Sequence, residues 1–165
     1  MTAQPGAPLK FAADAMLGSL ARWMRLLGYD CTYVHGIADE ALVAQAGAEG
    51  RTLLTRDREV ARGAAHAVFV NSHDLEEQLM EVVVALRLPL PEEPATARCS
   101  ICNGQLQPVS KAQAEAGKVP EGALLKNDEF WRCPGCNRFY WKGTHFTSMS
   151  SRLRELRTRL AQGPK

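Results

Sequence analysis

Apolar residues follow two alternating patterns over the first ninety positions. Short apolar runs bounded by polar or turn-forming residues predict strands at 9–13, 31–35, 51–55 and 67–70. Between and after them, apolar residues spaced three or four apart predict helices from Asp14 to Gly28, from Asp39 to the break at Gly47, and from Asp74 to Leu88. Strands that alternate with helices are typical of a parallel sheet, so the pattern predicts an α/β fold.

The pattern changes after residue 88. A stiff linker with Pro89, Pro91 and Pro94 follows, and we place a domain boundary there, between a first domain at 8–91 and a second at 96–165. The second domain has short β-prone segments at 105–109, 130–133 and 139–142, and then a basic amphipathic helix from about Ser148 to Leu160. A small second domain that ends in a helix is therefore expected.

Cysteine spacing in the second domain has the character of a metal site. The pairs Cys99-x-x-Cys102 and Cys133-x-x-Cys136 are separated by 30 residues, and four thiolates in two chelating pairs suit a closed, tetrahedral zinc site. Such a site has no open position for a substrate, so we predict structural Zn²⁺ in a zinc ribbon. The fifth cysteine, Cys31, is predicted to be a small buried apolar residue. Paired cysteines of this kind favour a reducing, cytoplasmic location over a disulfide framework.

Composition and charge narrow the function further. Apolar residues make up 45% and charged residues 23% of the chain, as in ordinary globular proteins, and no apolar run is long enough to cross a membrane. We therefore expect a soluble protein with no membrane partner. Residues 1–95 carry a net charge of −5 and residues 96–165 one of +7. This asymmetry favours a cation-binding first part and a polyanion-binding second part, although solvated surface charge explains it equally well.

Acidic residues stand where the predicted strands end. Asp14 and Asp57 follow the first and third strands, and Asp39, Glu40 and Asp74 stand where later helices begin. All of these positions belong to the edge of the sheet where the strands end, which is where α/β proteins bind ligands. Clustered carboxylates need a compensating cation, and Mg²⁺ or Mn²⁺ there would support phosphodiester hydrolysis. Asp is also common at helix N-caps and turns for structural reasons, so both roles remain open.

Several basic residues are candidate RNA contacts. Arg22 and Arg25 are three positions apart on the first helix, where they hold phosphates or serve as ordinary surface arginines. Arg138 and Lys142 flank the aromatic run at 139–141, which suits phosphate contacts beside stacked, unpaired bases. His145 is a further polar candidate. The alternative is that these aromatic residues form the core of the ribbon.

The segment from Phe11 to Asp30, FAADAMLGSLARWMRLLGYD, resembles the Mut-7 C-terminal RNase domain family, a branch of the PIN-like nucleases. Asp39-Glu40, the GRTLLTRD segment ending at Asp57, the two cysteine pairs and YWKGTH ending at His145 resemble the same family in the same order, so the resemblance spans about 9–146. It implies a PIN-like, three-layer α/β domain fused to a zinc ribbon and acting on RNA. It also implies Asp14, Asp39 and Asp57 as the catalytic acids, with Glu40 or Asp74 as additional Mg²⁺ or Mn²⁺ ligands.

Two functions compete at this point. The first is a divalent-metal-dependent ribonuclease whose zinc ribbon helps to bind RNA. The alternative is a non-catalytic protein that binds RNA or the ribosome, in which the ribbon makes the contacts and the α/β part serves as a platform for a protein partner. Metal-dependent cleavage of RNA separates the two.

Overall fold

In a computed structural model that describes residues 9–163, the chain forms two compact units. The first contains the described residues up to Met24 together with Tyr29–Arg87. Its elements are β1 (Lys10–Ala13), α1 (Gly18–Leu26), β2 (Asp30–Tyr33), α2 (Asp39–Ala48), β3 (Thr52–Thr55), α3 (Arg58–Gly63), β4 (Ala67–Phe69) and α4 (Leu75–Leu86). The four strands are all parallel and lie in the order β2-β1-β3-β4. The α/β class with a parallel sheet is therefore confirmed.

The two central strands carry the core of this unit. Phe11, Ala12 and Ala13 of β1 and Leu53 and Leu54 of β3 are almost completely buried. Strands covered on both faces read as continuous apolar runs, which is why β1 and β3 were visible in the sequence. On one side, Ala12 and Leu53 pack in a cluster with residues of α2 and α3.

Helix α1 begins differently from the prediction. Ala15–Leu17 form a 3-10 turn before α1, because the Asp14 side chain accepts a hydrogen bond from the Ala15 N–H and starts the turn there. The predicted stop at Gly28 is confirmed: Gly28 has a φ of +93°, a left-handed conformation that glycine adopts at little cost. Helix α3 was not predicted, since its six residues include one fully buried apolar side chain, Val60.

The second unit contains Arg25–Gly28 and the described residues from Leu88 onward. Its elements are β5 (Gln107–Val109), α5 (Lys111–Ala116), α6 (Glu121–Lys126), β6 (Phe130–Arg132), β7 (Phe139–Trp141) and α7 (Thr144–Gln162). The strands form an antiparallel sheet in the order β5-β6-β7. Helices α5 and α6 were not predicted, and α7 begins earlier than the expected start at Ser148.

Some of the aromatic residues of the ribbon form its core. Phe130 is buried with Ala114 and Val119, and Phe139 and Trp141 pack against this cluster while remaining partly exposed. The structural role considered for these aromatic residues is therefore part of the answer. Within residues 9–163, no helix is both long enough and apolar enough to cross a membrane.

Candidate functional site

The carboxyl ends of β1 and β3 meet at the centre of the sheet. The chain runs from β1 outward to β2 and then returns past β1 to β3, so the connections leave these two neighbouring strands in opposite directions. This switch point is the place where open α/β sheets form a crevice for ligands. Asp14 directly follows β1, and Asp57 follows β3 by two residues.

Thr55 joins these two acids. Its hydroxyl donates to Oδ2 of Asp14 at 2.7 Å and accepts the N–H of Asp57 at 3.0 Å. Thr55 is fully buried, and Asp14 is 8% exposed. The main-chain N–H of Asp14 also donates to the carbonyl of Leu54 at 3.0 Å. One buried hydroxyl thus fixes the Asp14 carboxylate relative to the backbone of Asp57.

Asp57 caps α3 with one carboxylate oxygen. Its Oδ1 accepts the N–H groups of Glu59 and Val60 at 2.7 and 3.2 Å, and within the described part of the chain Oδ2 accepts none. Asp74 repeats this arrangement at α4, where Oδ1 accepts the N–H groups of Glu76 and Glu77. The capping role and a ligand role are therefore compatible, since each uses a different oxygen of the same carboxylate.

Asp39 and Glu40 lie in the first turn of α2, and both are exposed. The N-cap of α2 is Ala38, which makes no side-chain capping bond. The capping role considered for Asp39 is therefore wrong. Both carboxylates belong to the helix that follows β2, at the same edge of the sheet as Asp14.

The turn after Asp14 is held by Tyr33. The Tyr33 hydroxyl donates to the carbonyl of Ala15 at 2.9 Å. Its ring lies so close to Gly18 that a Cβ there would be 3.1 Å from the ring carbon Cζ. A glycine at this position lets the tyrosine fasten the turn, which explains Gly18 within the first motif.

The loop between β4 and α4 is fastened by a residue that the sequence analysis missed. Oε2 of Glu81 accepts the N–H of Asn71 at 2.6 Å, and its Oε1 accepts that of Ser72 at 3.1 Å. The Ser72 hydroxyl in turn accepts the N–H of Asp74 at 3.0 Å. Glu81 lies nearly two turns into α4, so no local motif marks its effect on a loop ten residues earlier.

Arg56 brings positive charge to the end of β3. Its Nη2 lies 2.6 Å from Nε2 of His73, and its buried Nε has no hydrogen-bond partner among residues 9–163. The contact joins the end of β3 to the loop before α4. A cation between Thr55 and Asp57 partly offsets the charge of the neighbouring carboxylates.

The two arginines predicted on α1 occupy different environments. Arg22 is exposed, whereas Arg25 is 4% exposed and belongs to the second unit. Nη1 of Arg25 donates to the carbonyls of Ser100 and Ile101 at 3.1 and 2.8 Å. Arg25 therefore stabilises the loop between the first two cysteines, and we do not propose it as an RNA contact.

The four paired cysteines converge on one point. Their sulfurs all lie within 4.8 Å of one another, with 3.6 Å between Cys99 and Cys136 and 3.4 Å between Cys102 and Cys133. A Zn–S bond of about 2.3 Å gives a tetrahedron with edges of about 3.8 Å, so the four thiols fit that ion. The cluster suggests a structural metal such as zinc. Among residues 9–163, no group of acids comes together in the same way.

Local hydrogen bonds prepare these thiols for a metal. Burial raises the pKa of Cys99, but the Cys102 N–H, the Tyr140 hydroxyl and the Ile101 N–H outweigh it and lower that pKa to about 6. The Tyr140 hydroxyl lies 2.9 Å from the Cys99 sulfur. Burial, followed by this contact, raises the pKa of Tyr140 to about 12. Tyr140 is thus a partner of the metal site, a role that its place in an aromatic run did not indicate.

The remaining basic candidates lie on the surface of the ribbon. Arg138 is exposed just before β7, and His145 is exposed in the first turn of α7. Nζ of Lys142 lies 3.3 Å from a carboxylate oxygen of Glu93 and 5.4 Å from the centre of the Phe146 ring. Lys142 therefore already has a carboxylate partner, whereas Arg138 and His145 have none among the described contacts.

Comparison with known proteins identifies the family. The family model described as the Mut7-C RNAse domain matches residues 9–153, which include both central strands, the acids that follow them and the four cysteines. No curated protein and no solved structure matches the chain. The match indicates a ribonuclease-type function, for which RNA is the substrate. The chain therefore belongs to the Mut7-C RNAse domain family.

Proposed function

We propose that the protein is a divalent-metal-dependent ribonuclease that hydrolyses the phosphodiester bonds of RNA, and that its zinc ribbon helps to bind the RNA. The observation that carries this proposal is the network of Asp14, Thr55 and Asp57 at the switch point between β1 and β3. A buried hydroxyl that orients a nearly buried carboxylate in a ligand crevice is more than helix capping requires.

The donor set fits Mg²⁺ or Mn²⁺. Both ions take oxygen ligands and retain several waters, so a few carboxylates are enough. We assign Asp14, Asp39 and Asp57 as the catalytic acids and metal ligands, with Glu40 and Asp74 as additional candidates. The metal, when bound, lowers the pKa of an attacking water and stabilises negative charge on the phosphate.

The residues of the chain have distinct parts in this proposal. Thr55 holds Asp14 in place, and α3 holds Asp57 through its capping bonds, which leave Oδ2 available. Arg22 is exposed on α1, where it suits a substrate phosphate. In the ribbon, Arg138, Lys142 and His145 are proposed RNA contacts, and the four cysteines hold Zn²⁺. All five cysteines are free of disulfide bonds, which accords with a cytoplasmic location.

Asparagine variants separate catalysis from capping. Asn caps a helix about as well as Asp, so Asp57→Asn keeps α3 and removes the charged ligand. We expect Asp14→Asn and Asp57→Asn to lower Mn²⁺-dependent cleavage of a labelled single-stranded RNA by at least about a hundredfold. Zinc content and the circular dichroism spectrum stay unchanged. Asp128→Asn is the matched control, since Asp128 is fully exposed in the ribbon.

A second function is favoured by one observation. The acids at the sheet edge do not come within coordination distance of one another as a group of three among residues 9–163. A protein that binds RNA or the ribosome without cutting needs no such group. RNA that is bound but not cut in Mg²⁺ or Mn²⁺ would establish this second function and remove the catalytic assignment of the acids.

A further inference from the structure

The ribbon has an open groove beside β7. It measures about 420 Å³, which falls within the range of about 300–1,000 Å³ for small-molecule sites. Its walls come from the loop between the first two cysteines, the turn between α5 and α6, and the residues from 137 to 141. All of these segments belong to the second unit.

Aromatic side chains line one wall of this groove. Phe139, Tyr140 and Trp141 are all partly exposed, so each keeps some ring surface accessible. β7 is also the edge strand of its sheet, and within the described residues its outer side pairs with no other strand. The groove thus offers ring faces beside backbone donors and acceptors, which together suit a flat heteroaromatic base.

Positive charge stands at the rim. Lys118 and Arg138 both line the groove and are exposed, and the lining contains no acidic residue. Neither side chain makes a hydrogen bond or ion pair with another residue of the described chain. Two exposed cations beside ring surfaces match the phosphates that flank an unpaired nucleotide.

The backbone at Lys118 is a separate argument for a role of its side chain. The N–H of Lys118 donates to the Glu115 carbonyl and that of Val119 to the Ala114 carbonyl, which is the hydrogen-bond pattern of a Schellman motif ending α5. Lys118 has a φ of +62°, at the position where glycine is usual. A lysine here is retained at a cost in backbone free energy.

The neighbouring glycine explains why the two residues are not exchanged. A Cβ at Gly117 would lie 2.2 Å from Cζ of Phe139, so this position requires glycine for space. The left-handed position one residue later is therefore free to carry a side chain, and it carries a lysine aimed at the same groove wall that Gly117 exposes.

We infer that the groove beside β7 is a binding site for one unpaired RNA nucleotide, with the base against the aromatic wall and the flanking phosphates on Lys118 and Arg138. This inference rests on the proposed function, because it takes RNA as the ligand of the ribbon. It places sequence-tolerant RNA binding in the ribbon, apart from the acids that follow β1 and β3.

Binding of fluorescein-labelled octauridylate, measured by anisotropy in buffer without Mg²⁺ or Mn²⁺, tests the site in the full zinc-loaded chain. We expect the Lys118→Gln, Arg138→Gln double variant to bind about tenfold more weakly than wild type, with a salt dependence shallower by about 1.4 in log–log slope. Lys126→Gln, an exposed lysine on α6 that is not part of the groove, should stay within about twofold of wild type. Unchanged affinity in the double variant would overturn the inference.

Two further arms protect the result. Lys118→Gly relieves the left-handed backbone, so weaker binding in a variant that melts no earlier than wild type excludes unfolding as the cause. Inorganic polyphosphate and an extended (Glu-Val)₄ peptide are the competitors. Displacement of octauridylate by either one, as readily as by unlabelled octauridylate, would replace the nucleotide with a simple polyanion or with a peptide that adds to β7.

Cleavage in Mn²⁺, measured in parallel, separates this inference from the proposed function. If wild type cuts RNA and the double variant binds it normally, the groove fails and the nuclease stands. If the double variant loses binding while wild type never cuts, the groove stands and the nuclease fails.

Discussion

Replacing Thr55 with valine tests the network that joins Asp14 and Asp57. Valine has nearly the shape of threonine but lacks the hydroxyl, so Thr55→Val removes both hydrogen bonds without opening a cavity. The bond to the Asp14 carboxylate is worth about 1.5–3 kcal/mol, and the bond from the Asp57 N–H about 0.5–1.5 kcal/mol. Because Thr55 is fully buried, water does not replace them. We expect the free energy of unfolding to fall by about 2–4 kcal/mol.

Thr55→Ser is the matched control. Serine keeps the hydroxyl and loses one methyl group, which costs about 0.5–1.5 kcal/mol. Urea unfolding followed by circular dichroism measures both variants. A Thr55→Val protein that is as stable as Thr55→Ser, or more stable, would refute the reasoning, since the hydroxyl would then contribute nothing.

The same pair tests positioning at the site. If Thr55 orients Asp14 for a metal, Thr55→Val needs a higher Mn²⁺ concentration for half-maximal RNA cleavage than Thr55→Ser does, under conditions where both are folded. A loss of stability alone would not move this midpoint. Equal midpoints would restrict Thr55 to a structural role.

Further predictions concern the ribbon and the far side of the sheet. Gly117→Ala should lower the melting temperature of the ribbon, with a loss of about 1–3 kcal/mol, because its Cβ meets the Phe139 ring, whereas Gly122→Ala has open space and should cost nothing. Chelation of zinc should expose the chain beyond residue 96 to trypsin while the first unit survives, as mass spectrometry of the fragments would show. The Arg51 guanidinium donates a hydrogen bond to the Glu49 carboxylate and lowers its pKa, so this contribution is present above the ordinary Glu pKa and is lost as the pH falls through the lower value. Glu49→Gln should therefore cost under about 1 kcal/mol at pH 7, and urea unfolding should show this difference shrinking between about pH 5 and pH 3.

Periodic and motif-based features were predictable from the sequence. β1 and β3 are continuous apolar runs because both of their faces are buried, and the two Cys-x-x-Cys pairs carry their own spacing. Helices α3, α5 and α6 were missed because each has only six residues, too few to show a helical repeat. Short helices of this kind depend on caps such as Asp57 and Ser110 more than on an apolar stripe.

Features that depend on distant contacts were not predictable. Thr55 and Glu81 act on residues that are remote in sequence or lie in another element, and no local pattern marks them. Arg25 looked like a surface arginine because its partners, two carbonyls, are about 75 residues away. The conformation of Lys118 follows from the space that Phe139 takes beside Gly117, which is visible only in three dimensions.

Single-turnover cleavage of an end-labelled, single-stranded RNA across a Mn²⁺ titration tests the central claim most directly. Wild type and Asp14→Asn are compared at equal zinc content, because asparagine preserves the size of the buried side chain. The account predicts Mn²⁺-dependent product from wild type and a loss of at least about a hundredfold in the variant. Equal cleavage by both proteins, or product that forms without any divalent ion, would contradict it.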